Sequence, residues 1–550
     1  MRLRISHGGH VPADAPAMPL TPEATRVGAG LAEARVEFRR AAAAAAPPGA
    51  ATFEEVTFST PFEYLFSALK DDPAAHLPVG PETVDGLKAL GAAMIDQAEP
   101  PAGNSTVPPV YTYWGQFIDH DITANTDRTS LISDITACDL QPVPPAEVVS
   151  KLKNLRQPAL NLDSVYGSGP ICTPELYDGI RFRIGQNADT GAGEVPPPAG
   201  DLNRDLPRQD KKAVIADMRN DENLIVAQFH LAFLRFHNAA VDWIVANDLA
   251  RGDDAIFAMA RDLTRWHYQW LVVNDYLETV TVAGTVEQIL LDGTAHYAPR
   301  FGDLWMPLEF SVAAFRFGHS MVRGVYDFNR NFGKGDAPLL PAATFDLIFT
   351  FTGNGKPPFA DQADVLPANW IIEWDRFIDH GSADPVRFAR RIDTHLAPPL
   401  GQMINEGVGV SPAALSALLK HLAQRNLLRG YQLSIPTGQS VAGVLGVPPL
   451  SEAELRHNAD AAMNAALDCF VERTPLWYYV LKEAEVRENG NSLGDVGSRV
   501  IAETILGLLR YDPMSYLNRG WTPAQGVRLD DGGPIVTIGD FLRFARVLPG

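Results

Sequence analysis

Apolar residues recur at three- and four-residue intervals over 222 to 248 and over 255 to 280 without strand-like alternation, and that period predicts two long helices. A shorter run, "YTYWGQFIDHDITANTD" over Tyr111–Asp127, sets Gln116, Asp119, His120 and Asp121 among Trp114, Phe117 and Ile118. Residues step by about 100° along a helix, so Gln116, Asp119 and His120 share one face of a segment otherwise bulky and apolar. Buried polar groups ordinarily satisfy one another, and a single histidine there is usually a core residue. Several together also suit a ligand. The pattern as a whole predicts a mainly α protein with little β structure, and no repeat of 20 to 50 residues points to a solenoid.

The first fifty residues end in "RRAAAAAAPPGA" and carry no stable period, so they form an expected N-terminal extension, 1–50, ahead of one large domain, 51–550. Pro-rich connections fall at 142 to 146 and at 194 to 208. A chain of 550 residues, 46% hydrophobic and 20% charged, has the makeup of a globular protein able to enclose a deep cofactor pocket. Its net charge of -20, with no compensating cluster of Lys and Arg, argues against nucleic acid or an anionic membrane and for a small-molecule partner. Cys138, Cys172 and Cys469 lack metal-type spacing and form no disulfide framework, so thiols are expected. The start, "MRLRISHGGHVPADAP", has no apolar signal core, and no uninterrupted apolar run approaches twenty residues. The expectation is a cytoplasmic protein with no membrane span, although a signal-less export route would leave no mark in the sequence.

Three further stretches hold chemistry. In "DMRNDENLIVAQFHLAFLRFHN", Asp217–Asn238, Arg219 and Glu222 lie one turn apart at the start of an apolar helix; alone they are an ordinary ion pair. His230 and His237 are seven residues apart, too far for one metal ion, and are expected in the core. In "AAFRFGHSMV", Ala313–Val322, Arg316 precedes His319 by one turn and Gly318 leaves room beside the imidazole for a flat ligand. In "NLLRGYQLSIPTGQ", Asn426–Gln439, a helix is predicted to stop at Arg429–Gly430 before a Pro-Thr-Gly turn.

Taken in this order, the four stretches resemble the animal-type haem peroxidases, of the superfamily that also holds the cyclooxygenases, over about residues 105 to 440. The resemblance implies a large single-domain helical haem peroxidase fold and either haem b or ester-linked haem. "WGQFIDHD" is similar to the distal motif, which makes His120 the distal histidine, Gln116 the distal glutamine, Asp121 a calcium ligand and Asp119 an acid that esterifies a haem methyl. Arg219 falls on the distal arginine and Glu222 on the second ester-forming acid, while Asn223 stands where some members carry the methionine of a sulfonium link. "FRFGHS" is similar to the proximal motif, with His319 as the iron ligand and Arg316 its proximal neighbour. Gln439 falls where the family has the asparagine that accepts the proximal N–H, and in "QPALNLDSVYG" Asn161 and Asp163 take two positions of the calcium loop.

The chemistry this implies needs those residue types. Cleaving hydrogen peroxide requires a group that takes a proton and returns it, which a neutral imidazole such as His120 can do. Arg219 would stabilise the developing negative charge, and an acceptor on the second nitrogen of His319 would raise its basicity. The expected donors are bromide, iodide, thiocyanate or phenols; without a sulfonium link chloride should be poor. A fatty-acid dioxygenase is the alternative, but the resemblance puts its radical-forming tyrosine at the position of Arg316. A non-catalytic haem-binding or adhesion module is the third.

Overall fold

The computed structural model describes residues 59–548 except 99–102, 125–134, 136–138, 189–202, 337, 354–364, 379–380, 382–383, 385–386, 405 and 407–411. The extension 1–50, Cys138 and most of the second Pro-rich connection lie outside the described residues. Among them no strand exceeds four residues, so the class is mainly α, as the periodicity predicts.

Six helices position the site: α1 (Val110–Ile122), α2 (Leu224–Ala246), α3 (Asp253–Leu271), α4 (Leu422–Gln432), α5 (Leu476–Arg487) and α6 (Asp495–Tyr511). The most apolar of them, α2, is long and apolar enough to cross a membrane, yet 83% of that window is buried by the protein, as in a core helix. Its start is fixed by Asn223, whose side chain accepts the Val226 N–H at 3.0 Å. Phe117 of α1 stacks on Phe233 of α2 with ring centroids 4.4 Å apart, and Tyr268 of α3 meets Phe233 edge-on at 5.5 Å. These aromatic contacts lock α1 to the core and fix where its polar face looks.

The last part of the predicted second helix, 255 to 280, departs from a plain α-helix: α3 ends at Leu271, and Val272–Leu277 is a π-turn. A second π-turn, Glu309–Ala313, runs into a 3₁₀ turn, Ala314–His319, that packs against α1, α5 and α6. Glu309 anchors this segment by accepting the Leu65 N–H at 2.8 Å and the Phe66 N–H at 3.3 Å. Those two residues come one residue after strand β1 (Thr60–Glu63), which pairs antiparallel with β2 (Lys153–Asn154) and parallel with β3 (Met306–Pro307). The helix expected to stop at Arg429–Gly430 continues as α4 to Gln432.

Candidate active site

A cavity lies between α1, the start of α2 and the turn that carries His319. Gln116, Asp119, Glu222, Arg316 and His319 all line it, so residues from three distant motifs meet on one surface. The rest of the wall is largely apolar, with Phe315, Ile348, Phe349 and Leu400 among it. A Cβ placed on Gly318 would meet nothing within 4 Å, so the space beside the imidazole is open. Haem fits this donor set: an imidazole for iron, apolar walls for the ring, and two carboxyls at its edge. Burial and the charge of Glu406 push the Glu222 carboxyl up to about 8, and its buried Oε2 has no hydrogen-bond partner among the described residues. Glu222 is therefore protonated at neutral pH.

On the distal side His120 is fully buried. Its Nδ1 lies 2.9 Å from Asn220 Oδ1, and Asn220 Nδ2 lies 2.9 Å from His230 Nδ1. An amide oxygen can only accept, so Nδ1 of His120 carries the proton and Nε2 is the basic nitrogen. Burial, and then the charge of Arg219, hold His120 down at about 3, which keeps it neutral. Gln116 Oε1 accepts from Asn223 Nδ2 at 3.1 Å, and Asp119 Oδ1 accepts the Thr123 hydroxyl at 2.7 Å.

Arg219 corrects its expected role. Arg219 lies in a 3₁₀ turn, Met218–Asp221, that ends at Glu222 before α2, and the two side chains go to different partners. Glu222 turns to the cavity, whereas the Arg219 guanidinium binds Asp217 and the carbonyls of His120 and Thr123, each at 2.7 Å. Those carbonyls close the C-terminal end of α1, where a cation suits the helix dipole. Neither Arg219 nor His120 is among the described residues of the cavity wall. Arg219 is thus a positioning residue that acts through the backbone of His120.

Gln439 corrects a second expectation. Thr437 caps a further helix, Gly438–Leu445, and the Gln439 amide nitrogen donates to Val471 O at 3.0 Å and Thr474 Oγ at 2.7 Å, away from His319. The amide beside His319 belongs to Asn426 of α4, 2.9 Å from Nδ1, with Arg316 Nη1 donating to its oxygen at 3.0 Å. The Arg316 bond fixes that amide with its oxygen toward the guanidinium and its nitrogen toward Nδ1 of His319. Arg316 therefore reaches His319 through Asn426.

Asp121, Asn161 and Asp163 come together, but as a poor calcium shell. Asp121 accepts the Ser164 hydroxyl at 2.9 Å and the Leu162 N–H at 3.2 Å, and Asn161 Oδ1 accepts the Asp163 N–H at 3.1 Å. Asp163 instead meets the Arg156 guanidinium at 3.1 Å. Calcium wants six to eight oxygens turned inward, and these oxygens are turned to N–H and O–H donors. Among the described residues no group of three or more His, Cys, Asp or Glu side chains is arranged to hold a metal ion.

Asn220, Asn426 and Arg156 carry contacts that the sequence alone did not assign to them. Asn220 and Asn426 both sit inside the quoted motifs, but the partner of each lies about a hundred residues away, beyond any local period.

Comparison with known proteins supplies relatives and a fold. Residues 154–346 match the family model of animal haem peroxidase, a stretch that holds Arg219, Glu222 and His319. The chain is 26% identical over 300 residues to a peroxidase-like protein of Margaritifera margaritifera, covering 46% of this chain and 37% of that one. It is 27% identical over 363 residues to heme peroxidase 2 of Caenorhabditis elegans, covering 65% and 47%. The chain thus spans less than half the length of these curated relatives. Among solved structures it resembles peroxidase A from Dictyostelium discoideum, with TM-score 0.50, 17% identity and coverage of 83% and 88%. It also resembles the Oryza sativa fatty acid alpha-dioxygenase, with TM-score 0.53, 14% identity and coverage of 85% and 77%. At such identities the solved structures speak for the fold, and the family match and the curated relatives speak for the lineage. Residues 154–346 thus match an animal haem peroxidase domain, and the chain is similar to peroxidase relatives in sequence and to a peroxidase and a fatty acid alpha-dioxygenase in fold.

Proposed function

We propose that the chain is a haem-dependent oxidoreductase that reduces hydrogen peroxide and oxidises small donors, with bromide, iodide, thiocyanate and phenols as the donor classes. The observation that carries this reading is the single cavity onto which Gln116, Asp119, Glu222, Arg316 and His319 all open. Bound haem supplies the electrons that reduce the peroxide and takes them back from the donor. His319 is the residue that would hold its iron, with the Asn426 amide beside its Nδ1 linking it to Arg316. Asp119 and Glu222 are placed to bond the ring edge, and Asn223 has no sulfur for a third link.

The chain's own residues handle the proton. Asn220 fixes the His120 tautomer and leaves Nε2 as the nitrogen that would exchange a proton with peroxide, although His120 itself sits behind the cavity wall rather than on it. Arg219 holds the His120 carbonyl and the end of α1, so the imidazole keeps one orientation. Gln116, tethered by Asn223, offers its amide N–H groups to the peroxide or to an anion. The apolar wall keeps water scarce, which strengthens each of these contacts.

A fatty-acid dioxygenase is the second reading, since one structural neighbour is such an enzyme. Against it, the residue three before His319 is Arg316, held on Ser311 O at 3.1 Å and on Asn426, with no phenol there. The test is the Soret spectrum of haem-loaded protein before and after peroxide, followed by bromide, thiocyanate and a phenol in turn. A peroxide-dependent change that a donor reverses is expected. No change with peroxide, or oxygen uptake with a fatty acid in place of it, would overturn the reading.

A further inference from the structure

Behind α1, on the side away from the cavity, three buried carboxylates from separate segments face one cation. Asp121 follows His120 on α1, Asp163 ends the 157–163 loop, and Asp217 caps the turn that carries Arg219. The cation is Arg156, whose side chain is 2% exposed. Its Nη1 lies 3.1 Å from Asp163 Oδ1 and its Nη2 lies 2.5 Å from Asp217 Oδ2. Burial pushes the Asp121 carboxyl up to about 6, and the Arg156 charge is the strongest influence drawing it back.

We propose that Arg156 is a built-in cation standing where the resemblance places calcium, and that it braces the distal helix so that this chain needs no calcium. A divalent ion joins carboxylates because each would otherwise be buried with its charge uncompensated. A guanidinium does the same with a planar fork of five N–H donors, and being covalently attached it cannot dissociate. The brace continues to the site in three contacts. Arg156 holds Asp217, Asp217 holds Arg219, and Arg219 holds the His120 carbonyl. Adding calcium beside this guanidinium would set two positive charges plus one against the same carboxylates, so the residues present do not fit the ion. Arg156 is accordingly a positioning residue for His120, in the role the ion would have filled.

The inference rests on the peroxidase reading only for its kinetic arm, because thermal melting is measured without turnover. Haem-loaded full-length protein, passed through EGTA and desalted, is expected to retain no stoichiometric calcium. Its melting midpoint and its rate with peroxide should be the same in EGTA and in calcium chloride. One calcium per chain surviving EGTA, or a midpoint that rises saturably with calcium, would overturn the proposal. Arg156→Ala should lower the midpoint and slow the peroxide reaction about tenfold or more, the usual scale for a lost orienting contact. Calcium chloride or dilute guanidinium should restore both, since either puts a cation among the three carboxylates. A folded variant that neither cation rescues would mean a plain structural ion pair and would sink the idea. Should Arg156→Ala fail to fold, the unmodified protein's indifference to calcium decides the matter.

Discussion

Two amides that look alike on paper should behave in opposite ways. Asn426 touches His319, whereas Gln439 touches Val471 and Thr474. Asn426→Ala is therefore expected to shift the spectrum of the haem-loaded protein and to weaken haem binding or turnover by about ten- to hundredfold, the range for a metal ligand's supporting contact. Gln439→Ala should leave the spectrum unchanged, and the reverse pattern would return the proximal assignment to Gln439. His120 makes a second prediction at this scale. Its depressed value near 3 means that the neutral, proton-accepting form persists above that pH and is lost only as the pH falls through it. The rate of reaction with peroxide should accordingly stay level from neutral pH down to about 4, with no titration near the ordinary histidine value of about 6.5. Stopped-flow rates across that range check this, and Asn220→Leu, which removes the acceptor on Nδ1, should lower the plateau.

At the scale of elements, the start of α2 does two jobs through one residue. The Asn223 oxygen caps the helix at Val226, and its amide nitrogen donates to Gln116. Asn223→Ala should cost about 1 kcal/mol of stability, the typical loss for a helix cap. Asn223→Asp keeps the cap oxygen and gives up the N–H to Gln116, so chemical denaturation should find it near the parent while reaction with peroxide changes. Equal destabilisation of the two variants would show that the cap contributes nothing at this site. The same local logic explains why α4 runs through Gly430: a glycine in a helix costs only about 1 kcal/mol, and the packing of α4 against α5 and the Glu309–Ala313 turn outweighs it.

For the whole molecule, the cavity is the place where stability and function meet. The cavity leaves much of its largely apolar wall without partner atoms, so a ligand that fills it should stabilise the folded chain. Haem at a hundredfold excess over its dissociation constant should raise stability by about 2.7 kcal/mol, read as an upward shift in the melting midpoint. His319→Ala should lose most of that shift while the haem-free melting midpoint stays close to the parent, since His319 is only partly buried at the cavity edge. An unchanged haem-dependent shift in that variant would remove His319 as the anchor.

Periodicity and local chemistry in the sequence were enough for the mainly α class, the two long helices, the polar face of α1 and the pairing of Gln116 and Asp119 with one object, because helical spacing is a property of a few consecutive residues. His230 and His237 were legible as core residues for the same reason, and both are fully buried. The short motifs single out His319, Arg316 and Glu222, and the fold brings all three to one cavity wall. What the sequence could not decide were directions and partners. The resemblance sets Arg219 over the cavity, but its guanidinium goes to Asp217 and to the carbonyls at the end of α1. Gln439 was aligned with an acceptor, but it lies on a separate helix, and Asn426 on α4 takes the place beside His319. Asn161 and Asp163 were matched to a calcium loop, and a neighbouring arginine that no ligand pattern includes folds back onto Asp163 and Asp217. In each case the deciding contact joins segments distant in the chain, or depends on a side chain's turn about its backbone. Both are set by packing, which a linear pattern of residue types does not encode.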